Sequence, residues 1–276
     1  MIALRALESA EEEFLLAATA RANAGRWIRV VVAKVMRRLV SSLRHSRRCV
    51  TISQPTMPPF LSLRPPTRAE VRSACAHGAS KGHNYPAALV GTSDRGTRKT
   101  PSRRDVDDDD NDADRSLRGW AIDETRTKIG TGEETYARCV AALEKWEHFN
   151  LGWARVDGET TGTRVGEEVC VEARVGPVWI RNPLRVVRLE GRRRDDDGGA
   201  KKRFTFAHGT LGGHLLAGEE RFAVELGRDG DVYYEAYAFS KPAHALSVLG
   251  YPVVRLLQKR FHWDSARAMK RIASGG

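Results

Sequence analysis

The sequence predicts an α+β fold in which a curved antiparallel β-sheet wraps around a long C-terminal helix. From Trp120 onward the chain has the pattern of a strand, a helix, six consecutive strands and a final helix. A curved antiparallel sheet has one concave apolar face that must be covered, and a long helix with a wide apolar stripe can cover it. The 276 residues, 41% of them hydrophobic, suffice for one such domain.

The first strand and the first helix follow from local signals. The segment AIDETRTKIG at 121–130 is extended and ends in glycine. Thr131 and Glu134 fit a Thr-x-x-Glu capping box, which marks the start of a helix. Tyr136, Val140 and Leu143 recur at helical spacing, so residues 133–147 are predicted to form a helix.

Strand-like runs then follow in close succession. In one of them Val169, Val171, Ala173 and Val175 alternate onto one face. The run from 178 to 189 is predicted to be one strand interrupted at Asn182-Pro183. The predicted strands cover residues 151–157, 166–175, 178–189, 203–211, 220–226 and 232–240.

The last predicted element is a helix over residues 252–272, with Pro252 near its first turn. Its apolar stripe comprises Val254, Leu257, Phe261, Ala268 and Ile272. This order of elements is that of the START-like, or helix-grip, fold. In that fold a cavity remains between the sheet and the last helix.

Residues 1–56 are predicted to be a basic leader or extension outside the folded core. No Asp or Glu occurs between Phe14 and Ala69, which is typical of an organelle transit peptide, but Glu8 and Glu11 depart from that pattern. Met57 opens a segment that resembles a natural start, so a dispensable extension is the second interpretation, and a membrane-surface helix is the third. We expect a cytoplasmic protein, or a plastid or other organelle protein if residues 1–56 act as a transit peptide.

Residues 57–276 are predicted to form the domain, with a disordered charged insertion at about 93–118. The insertion is first basic and then acidic, without apolar periodicity. Its run Asp107–Asp110 lacks the glycine and closing glutamate of an EF-hand loop.

Charge, cysteine spacing and hydropathy exclude several classes of protein. The chain has a net charge of +11, but much of the excess lies before residue 60, so we expect no nucleic-acid partner. No Cys-x-x-Cys pair occurs, and the cysteines are interpreted as reduced thiols of an intracellular protein. No run of eighteen apolar residues occurs, so no transmembrane helix is predicted.

Several motifs together resemble uncharacterised protein family 0548, the domain of unknown function nineteen-ninety. The motifs are FAHGTLGGHLLAGEERF at 206–222, AYAFSKP at 236–242, GYPVVRLLQKRF at 250–261, FLSLRPP at 60–66 and NYPAALVGT at 84–92, with Trp146, Phe149 and Trp153. The resemblance covers about 57–276 and implies a START-like fold. The family has no established activity, so the resemblance implies little chemistry.

The segment 206–222 contains the candidate polar groups. His208 and His214, with Glu219 or Glu220, are metal-ligand types, but their spacing fits no defined motif. The family pattern has an aromatic residue such as Tyr at the position of His208, and that would be a poor zinc ligand. We therefore predict no metal and no cofactor.

An acid–base pair is the alternative use of the same segment. Alternation places Glu220 on one face with Phe222, Val224 and Leu226, and burial there would raise the pKa of its carboxyl toward a range useful in catalysis. The catalytic candidates are therefore Glu220 and His214. In the structural interpretation, His214 caps the turn instead. Glu235 shares a face with Tyr237, and alternation does not decide which face of that strand points inward.

We predict a protein that binds a hydrophobic small molecule or lipid between the sheet and the last helix. Enzymatic use of the same cavity and a non-enzymatic interaction protein with a filled core are the alternatives. The sequence indicates no particular protein partner. The predicted ligand-binding residues are Trp153, Trp179, Phe206, His214, Glu220, Phe222, Tyr234, Glu235, Tyr237, Leu257 and Phe261.

Overall fold

The structure, a computed structural model, describes residues 60–93, 116–156, 162–193 and 200–275. Its strands are β1 (Leu61–Ser62), β2 (Ala121–Thr131), β3 (Ala154–Arg155), β4 (Glu168–Val175), β5 (Val178–Arg193), β6 (Ala200–Thr210), β7 (Leu216–Gly227) and β8 (Asp231–Pro242). Its helices are α1 (Arg68–Lys81), α2 (Glu133–Glu144), α3 (Ala245–Leu249) and α4 (Tyr251–Ala273). The predicted leader 1–56 and residues 94–115 of the predicted insertion lie outside the described residues.

The described strands form one antiparallel sheet in the order β2-β8-β7-β6-β5-β4-β3, with β1 added to β5. The first long strand pairs with the last, so that Ile122 lies opposite Phe239. Helix α4 packs against β2 and β8, and α2 packs against α4. The sheet therefore wraps around the C-terminal helix, and the predicted helix-grip fold is confirmed.

The predicted interruption of β5 is wrong, because this strand runs through Asn182 and Pro183 without a break. Proline lacks only the N–H donor, and the Pro183 carbonyl still accepts from the Leu211 N–H at 3.1 Å. Helix α1, which the sequence analysis did not predict, packs on this part of the sheet. A Cβ at Gly78 of α1 would lie 2.7 Å from the Pro183 Cβ, so glycine permits the close approach.

The predicted capping box at the start of α2 is also wrong. Thr131 is still part of β2, and the N-cap is Gly132, with no side-chain hydrogen bond. The helix ends at Glu144 rather than 147, since Trp146 adopts a left-handed conformation with φ 59°. A 3₁₀ turn over Glu147–Phe149 follows, and its residues His148 and Phe149 are buried.

Two apolar clusters cover the two faces of the central strands. The concave cluster joins the sheet to α2 and α4 and includes Leu143, Phe206, Phe222, Tyr234 and Met269. The opposite cluster joins β7 and β8 to the segment after α1 and consists of Tyr85, Leu89, Ala217, Tyr237 and Phe239. Both faces of β8 are therefore buried, which explains why alternation along it is uninformative.

Candidate functional site

A cavity of about 210 Å³ lies between the concave face of the sheet and α4. Most of its wall is apolar, as in small-molecule sites generally. Trp153, Leu257 and Phe261 are among the apolar residues, and His208 and Glu220 are among the polar ones. Strands β4 to β8 and helix α4 all contribute to the wall, so the cavity exists only in the assembled fold.

The carboxylate of Glu220 lies between two histidines that come from different layers of the fold. His208 is the partner of Glu220 across β6 and β7, and its Nε2 lies 3.7 Å from Glu220 Oε2. His262 projects from α4, and its Nε2 lies 3.0 Å from Glu220 Oε1. The strand alternation proposed for Glu220 thus directs it to the concave side, where the helix meets it.

A hydroxyl of the first long strand contacts the other nitrogen of His262. Thr125 Oγ1 on β2 lies 3.3 Å from His262 Nδ1. With this hydroxyl as donor, His262 carries its proton on Nε2 and donates it to Glu220. The Thr125–His262–Glu220 chain therefore connects β2, α4 and β7 at the cavity wall.

His208 is 3% exposed, and neither of its ring nitrogens has a hydrogen-bond partner among the described residues. The indole of Trp146 stacks on its ring, with centroids 5.7 Å apart. Burial lowers the pKa of His208, and the nearby Glu220 carboxylate only partly opposes that effect. A neutral imidazole therefore faces the cavity beside a carboxylate.

In the structure, His214 is hydrogen-bonded to the backbone of a turn and not to Glu220. Its Nδ1 accepts from the Leu216 N–H at 2.9 Å, so it caps the turn between β6 and β7. Burial lowers the pKa of His214 to about 3, which keeps the ring neutral. His214 still lines the cavity, but the hydrogen-bonded histidine of Glu220 is His262.

The structure brings only some of the predicted ligand-binding residues to the cavity. Those that line it are Trp153, His214, Glu220, Leu257 and Phe261. Three others lie on the concave side but are packed within the core, with no exposed area: Phe206, Phe222 and Tyr234. They therefore belong to the packed core beside the cavity and do not line it.

The remaining three predicted residues lie away from the cavity. Trp179 is the neighbour of the cavity-lining Ile180 and therefore points to the opposite face, where Arg155 lies over its ring. Tyr237 belongs to the opposite apolar cluster. The Glu235 carboxylate accepts from Arg126 Nε at 2.8 Å and Arg203 Nη2 at 2.9 Å, in an ionic network on that same face.

The sequence analysis missed His262 and considered His208 only as a metal ligand. A signal for His262 is present, since it lies four residues after Gln258 and three before Ser265 on the sheet-facing side of α4. An apolar stripe alone does not include these polar residues. Their identification requires knowing that Glu220 faces the helix.

The described part of the chain contains no group of three or more His, Cys, Asp or Glu side chains placed to hold a metal ion. Within the same residues, no helix is both long enough and apolar enough to cross a membrane.

Comparison with known proteins shows the family. Residues 108–268 match the model of a domain of unknown function, DUF1990. A UPF0548 protein of Arabidopsis thaliana is 39% identical over 186 residues, which is 67% of this chain and 85% of the relative. The chain belongs to the UPF0548 family. The predicted family membership is therefore confirmed.

Another UPF0548 protein is less similar in sequence but is covered over almost its whole length. The protein of Deinococcus radiodurans is 32% identical over 214 residues, which covers 76% of this chain and 98% of the relative.

Among solved structures, the chain is similar to Ara h 8.0201, with 10% identity, a TM-score of 0.37 and coverage of 57% of this chain and 100% of that one. It is also similar to truncated norcoclaurine synthase from Thalictrum flavum, with 11% identity, a TM-score of 0.34 and coverage of 55% and 92%.

Proposed function

We propose that this protein binds a small hydrophobic molecule in the cavity between the sheet and α4. The observation that carries the proposal is the cavity itself, because a core that served only to stabilise the fold would be filled. Its walls are mainly apolar, and a few polar groups converge at one place, which is the usual composition of a ligand site.

The volume limits the size of the ligand. About 210 Å³ is below the roughly 300–1,000 Å³ of sites for drug-sized molecules. An apolar cavity of about 150 Å³ is known to hold benzene, so this one has room for roughly eight to ten non-hydrogen atoms. A small ring compound with a short side chain fits, whereas a long-chain lipid would need a larger space.

Native mass spectrometry of the full chain, followed by denaturing extraction, tests the proposal first. A stoichiometric excess mass that extracts as one small organic molecule would support it. Propylbenzene, an apolar probe of suitable size, provides the direct measurement through saturation-transfer NMR.

A matched pair of variants tests the location of binding. Ala173 lines the cavity, and the next residue, Arg174, is exposed on the opposite face of β4. Ala173→Phe should fill the cavity and weaken propylbenzene binding at least tenfold, whereas Arg174→Phe should leave it unchanged. Equal binding to both variants would show that propylbenzene binds elsewhere and would overturn the assignment to this cavity. No binding to the wild-type protein would overturn the proposal and favour an interaction protein.

Catalysis on the same cavity is a second candidate, and the contact between Glu220 and His262 favours it. A carboxylate and an imidazole in hydrogen-bond contact can move a proton to or from a bound molecule. The test is to incubate the co-purifying molecule with fresh protein and to follow its mass. A change with the wild-type protein that is absent with Glu220→Gln would support an enzyme, and an unchanged molecule would support a binding protein.

A further inference from the structure

We infer that the ligand carries a hydroxyl group, which lies between His208 and Glu220 while the rest of the molecule occupies the apolar cavity. This inference rests on the proposed binding function and adds the chemical class of the ligand.

The first observation is the unsatisfied state of His208. Its side chain is almost completely buried, it lines the cavity, and both its ring nitrogens lack a hydrogen-bond partner among the described residues. Buried polar atoms are normally paired, because an unpaired one has lost its hydration without compensation. A ligand atom that bonds to this ring would supply the missing partner.

The second observation is the distance between the two polar groups. The 3.7 Å from His208 Nε2 to Glu220 Oε2 is too long for a hydrogen bond. A single oxygen atom about 2.8 Å from each of them can bridge the gap. A hydroxyl is both donor and acceptor, so it donates to the carboxylate and accepts from the imidazole in the tautomer protonated on Nε2.

Charge decides against the other common polar groups. A ligand carboxylate would meet the carboxylate of Glu220 across a few ångströms, with a neutral His208 as the other neighbour, and like charges repel in such a site. An ammonium group would be attracted to Glu220 but would have to lose its strong hydration in a mainly apolar cavity. A hydroxyl makes both hydrogen bonds at a smaller cost of desolvation.

A series of aromatic probes within the size limit of the cavity tests the inference. The series consists of 4-propylphenol, propylbenzene, 4-methylbenzoate and 4-ethylbenzylamine, each of about nine or ten non-hydrogen atoms. The measurement is the Kd of each for the full chain. We expect 4-propylphenol to bind at least tenfold more tightly than each of the other three. Two good hydrogen bonds lost on removal of the hydroxyl account for a factor of that size.

Variants of the two residues provide the second part of the test. Glu220→Gln and His208→Phe should each weaken 4-propylphenol binding at least fivefold and bring it close to that of propylbenzene. The matched control is Glu124→Gln, which makes the same carboxylate-to-amide change at an exposed position on β2. That variant should keep the full preference, and urea unfolding checks that all three variants fold.

Each contrary outcome is distinct. Equal binding of propylbenzene and 4-propylphenol would overturn the hydroxyl inference and leave the proposed function standing. Tightest binding of the benzoate or the amine would replace the hydroxyl with a charged group. No binding of any probe would overturn the proposed function and the inference together.

Discussion

Glu219 and Glu220 are adjacent on β7, but their carboxylates serve opposite sides of the sheet. The Glu219 carboxylate is 2% exposed and accepts from the Tyr85 hydroxyl at 3.1 Å, the Gly91 N–H at 2.7 Å and the Ser93 N–H at 2.9 Å. The Glu220 carboxylate accepts from His262 on the cavity side. Glu219 therefore fixes the segment after α1 to the sheet, and Glu220 lines the cavity.

The first prediction is that the same amide substitution has unequal effects at these two positions. Glu219→Gln places an NH₂ group among three donors, so one or more buried hydrogen bonds are lost. We expect the free energy of unfolding to fall by about 3 kcal/mol. Glu220→Gln should cost about 1 kcal/mol or less, since the cavity leaves room for adjustment.

Urea unfolding of both variants measures this difference. Equal losses of stability at 219 and 220 would contradict the division of roles between the two carboxylates.

The second prediction concerns Gly209, over which the Tyr85 ring lies. A Cβ at position 209 would stand 2.0 Å from the Tyr85 hydroxyl oxygen and 2.8 Å from its ring carbon Cζ. The hydrogen bond to Glu219 keeps Tyr85 from moving aside, so Gly209→Ala should reduce stability by about 1–3 kcal/mol. The control is Gly191→Ala on β5, where a Cβ meets nothing within 4 Å and the change should be within about 0.5 kcal/mol. Unaltered thermal unfolding of Gly209→Ala would refute the tight packing.

The third prediction is that the folded protein is sensitive to acid. Burial lowers the pKa of His148, His208 and His214 in the folded state, that of His214 to about 3. The unfolded chain takes up these protons near pH 6.5, whereas the folded chain does not, so stability is full above pH 6.5 and falls as the pH decreases below it. Each histidine can contribute up to about 1.4 kcal/mol per pH unit.

A variant at His148 isolates one of these three contributions. His148 is completely buried in an aromatic cluster, and its ring centroid lies 4.5 Å from that of Phe222. A phenylalanine side chain suits these surroundings. His148→Phe lacks this titrating group, so its free energy of unfolding should fall less than that of the wild type as the pH decreases below 6.5, by up to about 1.4 kcal/mol per pH unit. Urea unfolding of both proteins at pH 7 and pH 5 measures the difference. An identical acid loss in both proteins would show that His148 does not titrate as described.

The fourth prediction is a difference in thiol reactivity. Cys75 on α1 is partly exposed, and a hydrogen bond from the Cys170 thiol lowers its pKa. Cys139 on α2 is buried, and burial raises its pKa to about 11. Because the thiolate is the reactive form, iodoacetamide at pH 8 should modify Cys75 at least tenfold faster than Cys139.

Peptide mass spectrometry of timed samples gives both rates separately. Cys170→Ala removes the donor and should slow the reaction of Cys75. Faster alkylation of Cys139, or no effect of the variant, would count against the hydrogen bond.

The order of the long strands and helices from Trp120 onward was predictable, because alternation and the helical stripe are local signals, whereas α1 and the short α3 were not predicted. Alternation also assigned Glu220 correctly to the face of Phe222. It did not assign Glu235, since both faces of β8 are buried, one by α4 and the other by the segment that carries Tyr85. Alternation of apolar and polar residues therefore identifies the inward-facing side of a strand only where one face of the sheet is covered and the other is exposed.

The polar partners of Glu220 were less predictable. His214 is close in sequence and His262 is distant, yet the turn uses the near histidine and the helix supplies the far one. Sequence proximity favours hairpin contacts, whereas a cavity between layers is completed by residues from another element. The capping box at Thr131 failed for a related reason, because pairing of β2 with β8 extends the strand through that residue.

The pairing of Ile122 with Phe239 has a consequence for the synthesis of the protein. A ribosome makes β2 before the five intervening strands, and the partner strand β8 and the covering helix α4 follow those strands. Until then the inner surface of the nascent sheet has no cover, and such surfaces are prone to aggregation. A chain that terminates between residues 131 and 231 would therefore expose the apolar face of its strands. Chaperones and proteases recognise such a chain.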